Sequence, residues 1–137
     1  MALFEELNGQ GIFPLGEKNE AYAQFFTGQS YLKTLAQAPD GQFGIGNVTF
    51  EPGCRNNWHR HLGGYQILLV TGGQGLYQEA GKPAQVLRPG DVVVIADGVK
   101  HWHGATADSW FSHVAITAGQ AQWLEEVSEQ DYAQAHP

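Results

Sequence analysis

Short apolar runs, each closed by a turn signal, fill the chain from Phe43 onward. Runs of this length that end at glycine, proline or aspartate are typical of β-strands. They follow one another at regular intervals, as FGIGNVTFE, YQILLVT, GLYQE, AQVLR, VVVIA and WFSHVAIT, the last of which closes at Ala118-Gly119. Several short strands at such spacing indicate an all-β barrel or sandwich.

The remaining chain divides into an N-terminal arm and a C-terminal tail. In the arm, residues 1–38, positions 30–35 favour a strand, whereas positions 20–27 fit a strand or a helical turn and stay unassigned. In the tail, residues 122–137, Ser128 is spaced to cap a short helix that contains Asp131. A length of 137 residues suits one domain, so we expect residues 1–137 to form a single domain around a barrel core at residues 43–117.

Charge and composition narrow the class of partner. The formal net charge is −7, which disfavours nucleic acid and anionic membranes because both attract clustered Lys and Arg. The longest apolar runs, ILLV and VVVIA, are far shorter than a membrane span, and the N-terminus carries Glu5 and Glu6 where a signal peptide carries basic residues. Cys54 is the only cysteine, which excludes an internal disulfide. We therefore expect a cytoplasmic protein whose partner is a small molecule.

Two pairs of histidines carry the most specific chemical signal. His59 and His61 lie in WHRHLGGYQ, and His101 and His103 repeat the same spacing in HWH. On a strand, residues two apart share one face with Cα atoms roughly 6.5 Å apart, so each pair can direct its rings to one point. In a barrel the two strands can face each other. Three or four converging imidazoles suit a divalent transition metal such as Zn, Mn, Fe, Ni or Cu.

The segments that contain these histidines resemble the two motifs of the cupin family. GCRNNWHRHLGGYQ, residues 53–66, is similar to the first motif: a glycine, five residues, H-x-H and then a carboxylate or glutamine. PGDVVVIADGVKHWHG, residues 89–104, is similar to the second, G-x5-P-x-G-x2-H, with Ala96 in place of the proline. The resemblance covers roughly residues 43–117. It implies a conical jelly-roll barrel, or double-stranded β-helix, that holds one metal ion.

The resemblance also implies the ligand set. His59, His61 and Gln66 come from the first motif and His101 from the second. Gln66 replaces the more common glutamate, which removes an anionic ligand but keeps a carbonyl oxygen that can coordinate. The alternative is that Gln66 is a pocket amide held by its neighbours. Neither the ligand types nor the spacing selects among Mn, Fe, Zn and Ni.

Two further histidines and four other residues are expected to line the pocket around the metal. His103 shares a face with His101, and we expect it to be an acid/base group facing the substrate or a structural residue. The resemblance places His113 at the pocket wall, where it is either a second catalytic group or a hydrogen-bonded core histidine. The resemblance further places four residues near the cavity mouth as a substrate pocket: Gly46, Val48, Asn56 and Thr117.

Within the family, the chain is similar to small single-domain bacterial cupins, a group that includes manganese-dependent hydroxynitrile lyases. The sequence therefore favours a metal-dependent enzyme that acts on a small polar organic molecule. Among the possible reactions, lyase chemistry is favoured. An oxygen-dependent dioxygenase and a non-catalytic small-molecule binder are the alternatives, because one fold hosts many activities. The apolar residues of the arm, Phe13 and Tyr22 among them, predict a homodimer.

Overall fold

The computed structural model describes residues 12–137 and shows a chain built almost entirely of β-strands. In this part of the chain, eleven strands form one curled sheet and a short α-helix follows them. The elements in chain order are β1 (Glu17–Lys18), β2 (Phe26–Thr27), β3 (Ser30–Gln37), β4 (Phe43–Phe50), β5 (Arg55–Asn56), β6 (His59–Gly73), β7 (Gly75–Glu79), β8 (Gln85–Leu87), β9 (Val92–Ile95), β10 (His101–Ala105), β11 (Phe111–Trp123) and α1 (Glu129–Gln134). The predicted all-β barrel with a short C-terminal helix is confirmed.

The long antiparallel pair β6–β11 organises the sheet. Strand β4 pairs with the other edge of β11 and is followed by β3 and β1, while β10, β5 and β2 continue beyond β6. Strands β10 and β9 share one edge of β6, with β10 at His59 and β9 at Gln66–Leu69. One long strand thus carries two shorter partners side by side, and the sheet curls around an interior.

The interior is apolar at one end. Leu68 and Val70 of β6 alternate with more exposed neighbours and point inward, as expected for a strand with one buried face. They belong to a cluster of buried side chains formed by Phe50, Cys54, Leu68, Val70, Tyr77, Leu87, Val93, Ile95, Ala105, Phe111 and Ala115. Because this cluster is closely packed, it forms a rigid core at this end of the barrel, and polar side chains that contact it can be held in fixed positions.

A change of side-chain parity divides β6 into two halves. His59 and His61 are buried at odd positions, whereas Gln66 and Leu68 are buried at even positions. In a regular strand, odd and even residues point to opposite faces. Gln66 would then point away from the two histidines.

A bulge at the glycine pair corrects this parity. Leu62 and Tyr65 of β6 face Gln120 and Ala118 of β11, so two residues of β6 lie opposite one of β11. A Cβ atom on Gly64 would lie 2.3 Å from the backbone carbonyl of Ala118, and therefore only glycine permits this approach. The bulge brings His59, His61 and Gln66 to the same interior.

The N-terminal region forms part of the same sheet. The unassigned segment becomes a single 3₁₀ turn, Ala23–Phe25, followed by β2, and β3 pairs along its length with β4 of the same chain. Strand β2 pairs with β5, which places Phe26 opposite Asn56. The region therefore closes one side of the interior.

The C-terminal region differs in part from the expectation. Strand β11 continues through Gly119 to Trp123, so the prediction that this strand ends at Ala118-Gly119 is wrong; Gly119 lies opposite the bulge and makes no turn. The predicted cap is confirmed, since the Ser128 side chain accepts a hydrogen bond from the Asp131 amide. Among residues 12–137, no helix has the length and apolar character needed to cross a membrane.

Candidate metal centre

Three buried histidines come together at the junction of β6 and β10. His59 and His61 project from β6, and His101 of β10 lies directly opposite His59 in the antiparallel register. One ring nitrogen from each residue lies within 4.8 Å of the other two. Three of the four histidines in the two pairs thus come together, and three imidazoles at this separation can hold one metal ion.

Backbone carbonyls fix the tautomers of two of these histidines. Nδ1 of His59 lies 2.8 Å from the Asn57 oxygen, and Nδ1 of His101 lies 2.9 Å from the Val99 oxygen. A carbonyl oxygen only accepts, so both Nδ1 atoms donate and carry the proton. Each Nε2 therefore keeps a lone pair, as in metal-ligating histidines that donate their other nitrogen to a carbonyl.

Gln66 adds an oxygen to the same point. Its Nε2 donates to the Thr117 hydroxyl at 3.0 Å, which turns its Oε1 toward the histidines. That oxygen lies 3.1 Å from His61 Nε2 and 3.2 Å from His101 Nε2. Because the His101 nitrogen bears a lone pair, this second contact joins two acceptors. A cation between them would turn the repulsion into coordination, so the donor set fits a metal ion.

Burial keeps these imidazoles in the form that binds metal. It lowers the pKa of His59 well below its ordinary value and lowers that of His61, while the pKa of His101 falls to about 4. A charged imidazole loses its hydration in the interior, and the nearby rings add further repulsion at His59 and His101. All three are neutral near pH 7, so each ring keeps one unprotonated nitrogen.

A second imidazole pair lies beside the first cluster. His103 Nδ1 and His113 Nε2 are 3.1 Å apart, and both residues are fully buried. Burial lowers the pKa of His103 far below its ordinary value and that of His113 to about 3. Asn56 lies against His103, with its Oδ1 2.9 Å from the His103 backbone nitrogen. These two histidines are adjacent to the three-histidine group but lie outside it.

A cavity of about 320 Å³ opens onto both groups. The four residues predicted as a substrate pocket, Gly46, Val48, Asn56 and Thr117, all line it. So do His59, His61, Gln66, His103 and His113, whereas His101 is fully buried beside His59 with ring centroids 4.2 Å apart. Among the described residues, no Asp, Glu, Lys or Arg lines the cavity. Its wall is uncharged and largely apolar.

The sequence did not reveal an aromatic rim around this cavity. Tyr22, Phe26 and Trp123 line it, and Trp123 stacks on Phe25 at 4.7 Å and contacts the His59 ring at 4.6 Å. Tyr22 and Phe26 lie in residues 20–27, whose pattern fits a strand or a helical turn, and Trp123 lies beyond the predicted end of β11. One signal was present: Trp123 continues the odd-numbered inward positions that begin at His113.

Comparison with known proteins agrees with this architecture. The model of the cupin domain family matches residues 46–117, more than half of the chain. The chain belongs to the cupin family. This cupin is 44% identical over 115 residues to an (R)-mandelonitrile lyase from Granulicella tundricola, an alignment that covers 80% of this chain and 87% of the relative.

Solved structures place the fold in the same family. A cupin-like protein from Thermotoga maritima has a TM-score of 0.84 and 45% identity, and covers 90% of this chain and 96% of its own. A predicted oxalate decarboxylase from the same organism has a TM-score of 0.64 and 20% identity, over 69% of this chain and 84% of its own. The second likeness concerns the fold alone.

Proposed function

We propose that this cupin is a metal-dependent lyase that cleaves and forms a carbon–carbon bond next to a hydroxyl or carbonyl group, with aromatic cyanohydrins as the leading substrates. The observation that carries the proposal is the cluster of neutral imidazoles and one amide oxygen at an uncharged cavity, with a second imidazole pair beside it. The similarity to an (R)-mandelonitrile lyase supports the same choice.

In this proposal His59, His61, His101 and Gln66 hold the ion, each through the atom that faces the common centre. When bound, a divalent ion supplies a Lewis acid that polarises a substrate oxygen. The protein supplies orientation. The carbonyls of Asn57 and Val99 hold the His59 and His101 rings, and the Thr117 hydroxyl holds the Gln66 amide.

His103 moves the proton in this scheme, with His113 as its partner. In cyanohydrin cleavage, the hydroxyl proton leaves to His103 and the carbon–carbon electron pair goes to the departing cyanide. The carbonyl group forms, and cyanide then takes the proton to give hydrogen cyanide, so that no oxidant or reductant is needed. Burial lowers the pKa of His103, so the imidazolium that forms passes its proton on to cyanide.

The uncharged wall supports a neutral substrate. Among the described residues that line the cavity none is Lys or Arg, so apart from the ion itself nothing in the wall pairs with a negatively charged group. Apolar side chains such as Leu32 and Ile45, together with Phe26 of the aromatic rim, suit an aryl group instead.

The test compares substrates and oxygen uptake in one series. Protein loaded separately with Mn²⁺, Fe²⁺, Zn²⁺ or Ni²⁺ is incubated with mandelonitrile, acetone cyanohydrin and oxalate, while aldehyde or ketone release and dissolved oxygen are followed. We expect release of benzaldehyde without oxygen consumption, and loss of that activity in His101→Ala. Oxygen consumption would favour a dioxygenase. Saturable binding without product would indicate a binder, and either result would overturn the lyase proposal.

We also propose that the protein is a homodimer. Val92 and Val94 of β9 are 59% and 67% exposed, and Ile12 and Tyr22 near the start of the described chain add further exposed apolar surface. Apolar surface of this kind is commonly covered by a partner. Sedimentation at micromolar concentrations is expected to give twice the mass of one chain; a monomer throughout that range would contradict the proposal.

A further inference from the structure

The turn between β9 and β10 is bound to β6 at two points. Asp97 and Gly98 form this turn. The backbone N–H of Gly98 donates to the His61 carbonyl at 2.9 Å. Oδ2 of Asp97 accepts a hydrogen bond from the backbone N–H of Gly63 at 3.1 Å. The turn is therefore joined both to the backbone of one candidate ligand and to the bulge that follows that ligand in β6.

The same turn also orients the histidine that comes after it. The Val99 carbonyl, next to Gly98 in the chain, lies 2.9 Å from Nδ1 of His101 and fixes the direction of that ring. A movement of the turn would displace this carbonyl, and the His101 ring with it. The turn thus contacts all three parts of the candidate metal centre: the His61 backbone, the bulge that brings Gln66 inward, and His101.

Asp97 provides the one of these three contacts that a turn side chain makes to β6. Gly63 is one of the two bulge residues that lie opposite Gly119, and a bulge locally interrupts the hydrogen bonding between strands. The Asp97 carboxylate supplies an acceptor at that point. Because Asp97 is exposed and belongs to none of the buried apolar clusters, its replacement can remove this hydrogen bond while leaving the core intact.

We infer that Asp97 is a positioning residue, which fastens the turn between β9 and β10 to the bulge of β6 and so holds the candidate ligands of both strands in their relative positions. Its carboxylate lies outside the three-histidine group. Without this hydrogen bond, the turn and the bulge would have to be ordered when the metal binds, and that ordering lowers the affinity. The inference rests on the metal site of the proposed function and not on the lyase reaction.

The Zn²⁺ affinities of two variants test this role. Asp97→Ala removes the acceptor and is expected to weaken Zn²⁺ binding roughly three- to tenfold, which corresponds to the net contribution of one ordinary hydrogen bond. Asp97→Asn loses the negative charge but keeps a side-chain oxygen that can accept from the Gly63 N–H. We expect it to restore the affinity to within about twofold of the unaltered protein. Competition with a chelator measures all three affinities.

Asp91 provides a matched control at the other end of β9. It is also exposed, and its Oδ2 accepts a hydrogen bond from the backbone N–H of Arg88 at 2.8 Å, so it holds a turn in the same way. Asp91→Ala is expected to lower the unfolding free energy of the metal-free protein, as Asp97→Ala does, but to leave the Zn²⁺ affinity unchanged. Urea unfolding of the metal-free proteins measures the first quantity.

Three results of this series would overturn the inference. The first is an unchanged Zn²⁺ affinity in Asp97→Ala. The second is equal weakening in Asp97→Ala and Asp97→Asn, which would assign the effect to charge and not to the hydrogen bond. The third is equal weakening in Asp91→Ala, which would assign the effect to a general loss of stability.

Amide hydrogen exchange gives a readout that does not require Asp97→Ala to fold. The Gly63 N–H of the unaltered, metal-free protein is expected to be protected, to stay protected in Asp97→Asn and to exchange faster in Asp97→Ala. A Gly63 N–H that is unprotected in the unaltered protein would also overturn the inference. Failure of the unaltered protein to bind Zn²⁺ would refute the proposed metal site and the inference together, whereas a failed variant series on a Zn²⁺-binding protein would refute the inference alone.

Discussion

At the scale of single residues, the site separates atoms that can hold a metal from atoms that can move a proton. His59, His61 and His101 bring their ring nitrogens within 4.8 Å of one another, whereas His103 pairs with His113. Both groups are buried imidazoles, so composition alone does not distinguish them. Their hydrogen-bond partners do: carbonyls hold His59 and His101, and another imidazole contacts His103.

This division predicts different outcomes for two neighbouring substitutions. His101→Ala removes one of three imidazoles and is expected to abolish most bound metal, while His103→Ala is expected to retain the metal and lose activity. Elemental analysis of protein purified without a metal-affinity tag measures the first quantity, and turnover measures the second. Equal metal loss in both variants would show that His103 is a ligand.

Gln66 gives a second prediction at this scale. Replacement by Glu places a carboxylate oxygen where Oε1 lies and adds a negative charge beside the ion, so metal affinity is expected to rise on the order of tenfold or more. Thr117→Val, which removes only the partner of the Gln66 amide nitrogen, is expected to weaken metal binding slightly. Competition with a chelator measures both affinities. An unchanged affinity in Gln66→Glu would mean that Gln66 is no ligand.

At the scale of the strand, one bulge decides whether Gln66 faces the three histidines. Spacing alone predicts that His59 and His61 share a face, and it does so for His101 and His103 as well. It cannot predict that Gln66 joins them, because five residues separate Gln66 from His61 and a regular strand would turn it outward. The family resemblance supplied Gln66, and the structure supplies the reason in the bulge.

Two parts of the fold could not be predicted from local sequence: the course of β11 at Gly119 and the structure of residues 20–27. Gly119 predicts a turn by its residue type, whereas it lies opposite the bulge within β11, and the predicted end of the strand leaves out Trp123. Residues 20–27 carry aromatic side chains without a clear period, so neither a helix nor a strand was favoured; the structure uses both in succession. Glycine and short irregular segments depend on tertiary contacts that local sequence does not encode.

The bulge can be tested through Gly64. A methyl group there would meet the Ala118 carbonyl at 2.3 Å, so Gly64→Ala is expected to cost roughly 3 kcal/mol of unfolding free energy and to reduce bound metal. Gly44 of β4 is the control, because a Cβ there meets nothing within 4 Å. Urea unfolding of the metal-free proteins measures both variants. A Gly64→Ala protein with unchanged stability and metal content would show that the bulge tolerates a side chain.

At the scale of the whole molecule, placing histidines in the interior links stability to pH. His113 is fully buried, and desolvation lowers its pKa from 6.5 to about 3. Between these values the unfolded chain binds a proton at this residue and the folded protein does not. Stability therefore falls as pH decreases through that window, and above pH 6.5 this residue makes no difference.

The expected slope at His113 is about 1.4 kcal/mol per pH unit for one proton bound only by the unfolded chain. His113→Leu removes the titrating group, so the unfolding free energy of the metal-free variant is expected to decline less steeply between pH 6.5 and the lowest pH at which it folds. Phe50→Leu is the control, because Phe50 lies against the His113 ring at 5.4 Å but does not titrate. It is expected to lower stability at every pH and leave the slope unchanged. Equal slopes in the unaltered protein and His113→Leu would mean that His113 takes up protons equally in both states, so that its burial does not oppose its charge.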